Sequence, residues 1–243
     1  MGHGILLSAD ANIDFMIHGI TKYSFFGHEV WITTTHVCVL IVLLIIAGFS
    51  IAANRVLVKA SEVPTGFQNV VELMVEKLDG IVNNAMGRNA PGFYNYIGTI
   101  FVFILVSNIS GLLGLRPPTA DYGVTLPLGV LTFLLIHINQ FKHQKLKDIW
   151  VDMCSPLPPW LPIWFPINLI SEVAVPISLS LRLFANVLSG TVMMALIYGL
   201  LGWIATIWPA ALHVYFDLFS GAIQTYVFCM LTMTYINNAI GDA

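Results

Sequence analysis

Charge is what this chain has least of. Only 9% of its 243 residues are Asp, Glu, Lys or Arg, against about 25% in an ordinary soluble domain. Apolar residues make up 57%, and the mean hydropathy is +0.82. That balance excludes a disordered chain and argues against a soluble one. Ten basic against thirteen acidic residues leave no positive field for phosphates, so a nucleic-acid partner is not expected. Basic residues are scarcest near the end: after Lys147 only Arg182 remains. Cysteine is scarce too. Cys38, Cys154 and Cys229 are too few and too scattered for a disulfide framework. The two inside apolar runs read as small buried hydrophobes. The first thirty residues carry Asp10, Asp14 and Glu29 with no basic start, so no signal peptide is expected and the first apolar run should be an uncleaved span. No GxxxxGK[ST] loop is found, so nucleotide chemistry is not expected of this chain. His3, His18, His28 and His36 lack zinc spacing. Neither a metal nor a cofactor is expected.

What is present is a set of continuous apolar runs of about 20 residues, the length of a membrane-spanning helix. They lack the period-two alternation of outer-membrane barrels. The expected fold is an all-α integral membrane protein with about five crossings and one interfacial amphipathic helix. Residues 1–30 are polar and acidic, with a short amphipathic piece around 15–20. The first span is expected at 31–54, closed by Arg55 and Lys59. In 62–87, Pro64 can start a helix. Val70, Val71, Met74, Val75, Leu78, Ile81 and Val82 fall at three- and four-residue spacing, with Glu72, Glu76, Lys77 and Asp79 on the other side. This predicts a helix lying on the membrane surface or a partner. Spans at 93–115 and 123–141 form a helical hairpin. Residues 154–166 hold five prolines among aromatics and cannot be helix interior. Two long helical stretches follow at 167–203, with a possible kink at Pro176, and at 209–239. They would measure roughly 55 and 46 Å, more than a ~30 Å hydrocarbon core, so they should run strongly tilted as a hairpin. Arg55, Lys59 and Lys77 follow the first span, and Lys142, Lys145 and Lys147 follow the third. The positive-inside rule then puts the N-terminus outside and the C-terminus in the cytoplasm. Arg116 alone falls on the other side. The chain forms one membrane domain over 1–243, without the inverted repeat of many secondary transporters.

Polar groups in lipid need a reason. A central Arg costs about 2.5–3.5 kcal/mol on insertion scales, and Arg182 is too deep to snorkel easily. Helical spacing places Ser178, Arg182, Asn186 and Ser189 on one face, while Leu179, Leu183 and Val187 point elsewhere. Glu172 precedes Arg182 by roughly 15 Å of helix. In the last helix His213, Asp217, Ser220, Gly221 and Gln224 share a face. A buried ion pair of Arg182 with Asp217 or Glu172 would pin two helices. Polar residues strung toward opposite membrane faces suit a second reading better: two aqueous half-paths meeting beside one fixed cation. An Arg never deprotonates in practice and would block direct passage. His137, on an apolar helix, reads as a packing residue.

These residues resemble a known family. SLSLRLFANVLSG (178–190) is similar to the signature of subunit a of the rotary F-type ATP synthase, subunit 6 in mitochondria. VPTGFQNVVELMVE (63–76), SNISGLLGLRPPTADYGVTLPLGV (107–130), NLISEVAVPISLSLRLFAN (168–186) and GAIQTYVFCMLTMTYI (221–236) extend the resemblance over most of the chain. The resemblance implies that Arg182 is the essential arginine facing the carboxylates of a rotating c-ring. It implies that Asn186 and Gln224 stand near it and that Glu172 lines a cytoplasmic half-channel. The outer half-channel of the family uses an acid on the fifth or the last helix. Here the fifth-helix position is Thr191 and the last-helix position is Asp217, which makes Asp217 the outer relay, with His213 one turn earlier. The resemblance further implies c-ring and peripheral-stalk b subunits as partners, the lipid bilayer of a bacterial inner membrane as location, and a proton or sodium ion as cargo. The chain would be no enzyme on its own. An ion-coupled secondary transporter, with Arg182 holding an anion, is the alternative.

Overall fold

Strand precedes helix in this chain. The computed structural model describes residues 19–25, 28–58, 66–113, 115–145, 147, 149, 154, 164–201 and 208–241. Strands β1 (Gly19–Phe25) and β2 (His28–Thr33) pair antiparallel, from Phe25 opposite His28 to Gly19 opposite Thr33. Val30, Trp31, Ile32 and Thr33 are β-branched or aromatic and suit a strand. The first helix therefore starts later than position 31. Helix α1 is Thr34–Leu57. Its start is marked by His36, whose Nδ1 accepts from the Thr33 hydroxyl at 2.7 Å and from the Thr33 amide at 3.4 Å. Its last turn carries Arg55, a charge that suits a helix C-terminus. Residues 15–18 of the expected amphipathic piece, Pro64, and 155–163 of the proline-rich segment lie outside the described residues.

Helix α2 (Phe67–Met86) carries the amphipathic pattern. Only one edge of its apolar face is covered: Val71, Val82 and Met86 are buried, while Val70, Met74 and Val75 are exposed. A 3-10 turn, Gly87–Gly92, leads into α3 (Tyr94–Ile109). The expected second span ran to 115, but the α-helix stops at 109 and a 3-10 turn, Ser110–Leu113, ends it ahead of Pro117 and Pro118. Helix α4 (Tyr122–His143) begins where Asp121 Oδ1 accepts the Gly123 amide at 2.9 Å, an N-cap that satisfies one free donor. Helix α5 (Phe165–Leu201) has 37 residues and includes Pro176. The last stretch is not one α-helix. Helix α6 (Trp208–His213) passes into a π-helical segment, Val214–Ser220, and then into α7 (Gly221–Ile240).

Among the described residues five helices are long and apolar enough to cross a membrane: Thr34–Leu57, Tyr94–Leu112, Tyr122–His143, Phe165–Gly199 and Ala211–Ile240. This is the all-α membrane architecture the composition demands, with the hairpin ahead of it. The core joins α2, α3, α5 and α7. Val82, Met86, Ile97, Ile104, Leu183, Phe228, Met233 and Ile236 pack there. Long apolar side chains such as Leu44, Leu134, Ile170 and Phe219 are exposed on the outside, as lipid-facing residues must be.

Two glycines set how close the helices come. A Cβ at Gly129 of α4 would sit 2.6 Å from the Pro176 carbonyl oxygen of α5, so α4 and α5 touch backbone to backbone there. A Cβ at Gly221 would sit 2.9 Å from Asn108 Cβ. Small residues at such crossings are the usual device of membrane helices. Beside Gly221, Asn108 Nδ2 donates to the Gly221 carbonyl (3.1 Å) and to Thr225 Oγ1 (3.3 Å). Its Oδ1 accepts from Thr119 Oγ1 at 2.7 Å. Asn108 thus ties α3, the α3–α4 connection and α7 together in the interior. Asn108→Leu would leave the buried Thr119 hydroxyl without its acceptor, at about 1–3 kcal/mol for a stranded buried group. We expect a lower midpoint of heat unfolding in detergent; an unchanged midpoint would refute the tie.

Candidate functional site

Helix α5 turns two different faces to its surroundings. Leu179, Ser180 and Leu183 are buried where the helix packs on α4 and α7. Ser178, Arg182, Ala185 and Ser189 are exposed. They recur at four- and three-residue spacing and form one uncovered stripe with a cation in its middle. Arg182 makes no ion pair or hydrogen bond among the described residues. The pinning ion pair with Asp217 or Glu172 is therefore not formed. Asn186 departs from the expected face. Its amide turns to the last helix, donating from Nδ2 to Ser220 Oγ at 3.2 Å, with Ser220 Oγ 3.3 Å from Asn186 Oδ1. Asn186 stands at the seam between α5 and the π segment, one helical turn beyond Arg182.

The acid of the last helix has its own partner. Asp217 Oδ2 lies 3.0 Å from His213 Nδ1, and the Asp217 side chain is 17% exposed. Asp217 is in the π segment. The i→i+5 bonding of a π segment widens the turn, and such segments often mark functional sites. Faces counted at three and four residues do not carry through it. Space for the carboxylate comes from Gly111: a Cβ there would stand 3.2 Å from Asp217 Cγ and 3.3 Å from Oδ2. Between the helices is a small cavity of about 10 Å³, lined by Asn108, Asn186, Gly190, Phe216 and Asp217 among others. That is about the room one water needs. The cavity puts Asp217 and Asn186 on the wall of one space.

Toward the start of α5, Glu172 Oε2 lies 3.5 Å from His137 Nε2 of α4. His137 is therefore not merely a packing residue. Its Nδ1 contacts the Phe133 carbonyl at 3.0 Å, and its ring stands against the Phe133 ring, centroids 4.0 Å apart. Gln224 is 8% exposed, and its Nε2 has no hydrogen-bond partner among the described residues. Thr191 donates to the Leu188 carbonyl of its own helix at 2.8 Å.

Comparison with known proteins decides the family. Residues 35–237 match the family described as ATP synthase A chain. The chain belongs to that family. It is 36% identical over 197 residues to an "ATP synthase subunit a, sodium ion specific" of Propionigenium modestum, a match covering 74% of this chain and 66% of that one. It is 32% identical over 246 residues to the ATP synthase subunit a of Anoxybacillus flavithermus, covering 93% and 98%. It is 33% identical over 247 residues to ATP synthase subunit a 2 of Syntrophotalea carbinolica, covering 98% and 95%.

In this ATP synthase A chain family member the expected residues do not gather in one place. Arg182, Ser178 and Ser189 are on the uncovered face of α5. Asp217 and His213 pair with each other, and Asn186 pairs with Ser220. Glu172 pairs with His137. Gln224 is buried inside the bundle and Thr191 is bonded to its own backbone. Sequence reasoning missed Asn108, Gly111 and His137 as neighbours of these groups. For Asn108 the signal was present, since an amide inside an apolar run needs partners. For Gly111 and His137 nothing in the spacing named the helix they would meet.

Proposed function

We propose that this chain is the stator ion-channel subunit of an F-type ATP synthase in a bacterial inner membrane. Two offset half-channels carry protons or sodium ions to and from the carboxylates of a rotating c-ring. The observation that carries the reading is the sorting of charges: Glu172 and Asp217 each have a histidine, while Arg182 is exposed and has no carboxylate among the described residues. A cation on an otherwise uncharged face that lies in the membrane needs an anion from another molecule. A c-subunit carboxylate supplies it.

The outer half-channel runs along His213, Asp217 and the small cavity to Asn186 and Gln224. The fifth helix offers Thr191 there and no acid, which leaves proton or ion exchange to Asp217. The inner half-channel starts at Glu172 and passes Ser178. Each c-ring carboxylate must be neutral while it faces lipid. Beside Arg182 the opposite charge favours its ionised form, so it releases its ion to one half-channel and reloads from the other. The membrane potential contributes about 2.3 kcal/mol per charge per 100 mV, and successive transfers turn the ring. The N-terminus lies outside and the C-terminus in the cytoplasm. The c-ring and the b subunits of the peripheral stalk are the partners. ATP chemistry belongs to other subunits, so the chain is no enzyme by itself.

The test is purification of the intact complex and measurement of ATP-driven ion pumping with and without sodium. Co-purification with a c-ring and coupled pumping are the expected results. Solute uptake by the chain alone in liposomes would favour an ion-coupled secondary transporter. A second, local prediction concerns Gly111. Gly111→Val places carbon atoms where the Asp217 carboxylate now packs, so pumping should fall several-fold with the complex still assembled. Normal pumping would separate Gly111 from the outer path.

A further inference from the structure

The His137–Glu172 contact has an unusual arrangement of hydrogens. A carbonyl oxygen only accepts, so the 3.0 Å contact of His137 Nδ1 with the Phe133 carbonyl requires the hydrogen on Nδ1. A neutral His137 then presents a bare lone pair at Nε2. Nε2 lies 3.5 Å from Glu172 Oε2. An ionised Glu172 is acceptor-only. Two acceptors facing each other repel, and one proton between them turns the contact into an ion pair. The Phe133 ring packed on the imidazole holds this orientation. His137 and Glu172 side chains are 24% and 30% exposed, so neither is sealed inside the bundle.

We propose that His137 is a proton-exchanging member of the inner half-channel, holding one transferable proton jointly with Glu172. The proposal rests on the reading of Glu172 as an inner-path residue. During ATP-driven pumping, His137 Nε2 takes a proton from inner water. The N–H bond then breaks as an O–H bond forms on Glu172 Oε2, and that proton moves on toward the c-ring carboxylate at Arg182. ATP synthesis runs the same steps backwards. Nothing is oxidised or reduced, and Nδ1 keeps its hydrogen throughout.

The test uses the complete complex in inverted membrane vesicles, in sodium-free buffer. ATP-driven proton pumping is measured for His137→Ala, His137→Gln, Glu172→Gln and the double variant His137→Gln/Glu172→Gln. His137 is only half-buried on α4 and Ala and Gln are good helix formers, so the variants keep the fold. Co-purification with the c-ring checks this. Gln can donate a hydrogen bond to Glu172 but cannot take up and release a proton. Proton exchange therefore predicts that His137→Gln is slowed several-fold, as much as His137→Ala. It also predicts that His137→Gln slows the Glu172→Gln enzyme no further. Full pumping by His137→Gln would reduce His137 to a positioning residue and overturn the proposal. So would equal slowing by His137→Gln in the presence and absence of the Glu172 carboxylate. Full pumping by Glu172→Gln would overturn the inner-path reading itself, whereas a slow Glu172→Gln with a normal His137→Gln would remove only the proposed exchange. A wild-type complex that pumps no protons without sodium would also overturn it.

Discussion

Arg182→Ala should abolish ATP-driven ion pumping while the chain still assembles with its complex. The two halves of this expectation have separate reasons. Assembly survives because the Arg182 side chain makes no hydrogen bond or ion pair with any described residue. The residues that build the bundle on α5 are Leu179, Ser180 and Leu183 on the opposite side. Pumping fails because the passing carboxylate loses the charge that favours its ionised form. A unit charge at 4 Å contributes about 4 kcal/mol at an effective dielectric of 20, equivalent to about a thousandfold in a rate. The fixed cation also separates the two half-channels, and without it ions can slip between them. Arg182→Lys should restore little, since a lysine can lose its proton and lacks the planar fork. Rotation-coupled pumping by Arg182→Ala at the normal rate would end this account of Arg182. Loss of assembly would show that the exposed face has a packing duty.

Asp217→Asn should lower coupled transport at least tenfold, the scale of losing a positioned proton-transfer group. The substitution keeps the volume that Gly111 leaves free and the contact distance to His213. What it removes is the ability to bind and release a proton. Among the described residues no other acid lines the cavity beside Asp217. His213 pairs with Asp217, and Asn186 and Asn108 share its cavity; Thr191 of α5 is bonded to its own backbone. Pumping and synthesis rates of the assembled variant measure the effect. Full activity over the usual pH range would take Asp217 out of the path.

Much of the architecture can be read from hydropathy because lipid imposes one strict demand, satisfied backbone in apolar helices. The five helices able to span follow from that demand. Local chemistry moved their ends. Val30–Thr33 prefers a strand, so α1 begins at Thr34, and α3 gives way at Ile109 to the 3-10 turn Ser110–Leu113. The site was legible in part. The scarcity of basic residues made Arg182 conspicuous, and the exposed stripe from Ser178 to Ser189 follows from helical spacing. The turn of Asn186 toward Ser220 does not, because spacing along α5 cannot say which residue of the last helix stands beside it. Partners on other helices were beyond reach. Periodicity says which face a residue occupies, and only packing says which helix meets it. His137 beside Glu172, and Gly111 beside Asp217, are contacts of that kind.

The uncovered face of α5 can be probed in the assembled enzyme by cysteine cross-linking. Cysteines placed at Ser178, Ala185 and Ser189, exposed on the Arg182 stripe, are tested against cysteines flanking the c-subunit carboxylate. Leu44→Cys, exposed on α1, is the control. A c-ring seated against Arg182 gives adducts from the three α5 positions and none from position 44. Absence of adducts along the α5 stripe in an active complex would mean that Arg182 does not face the c-ring.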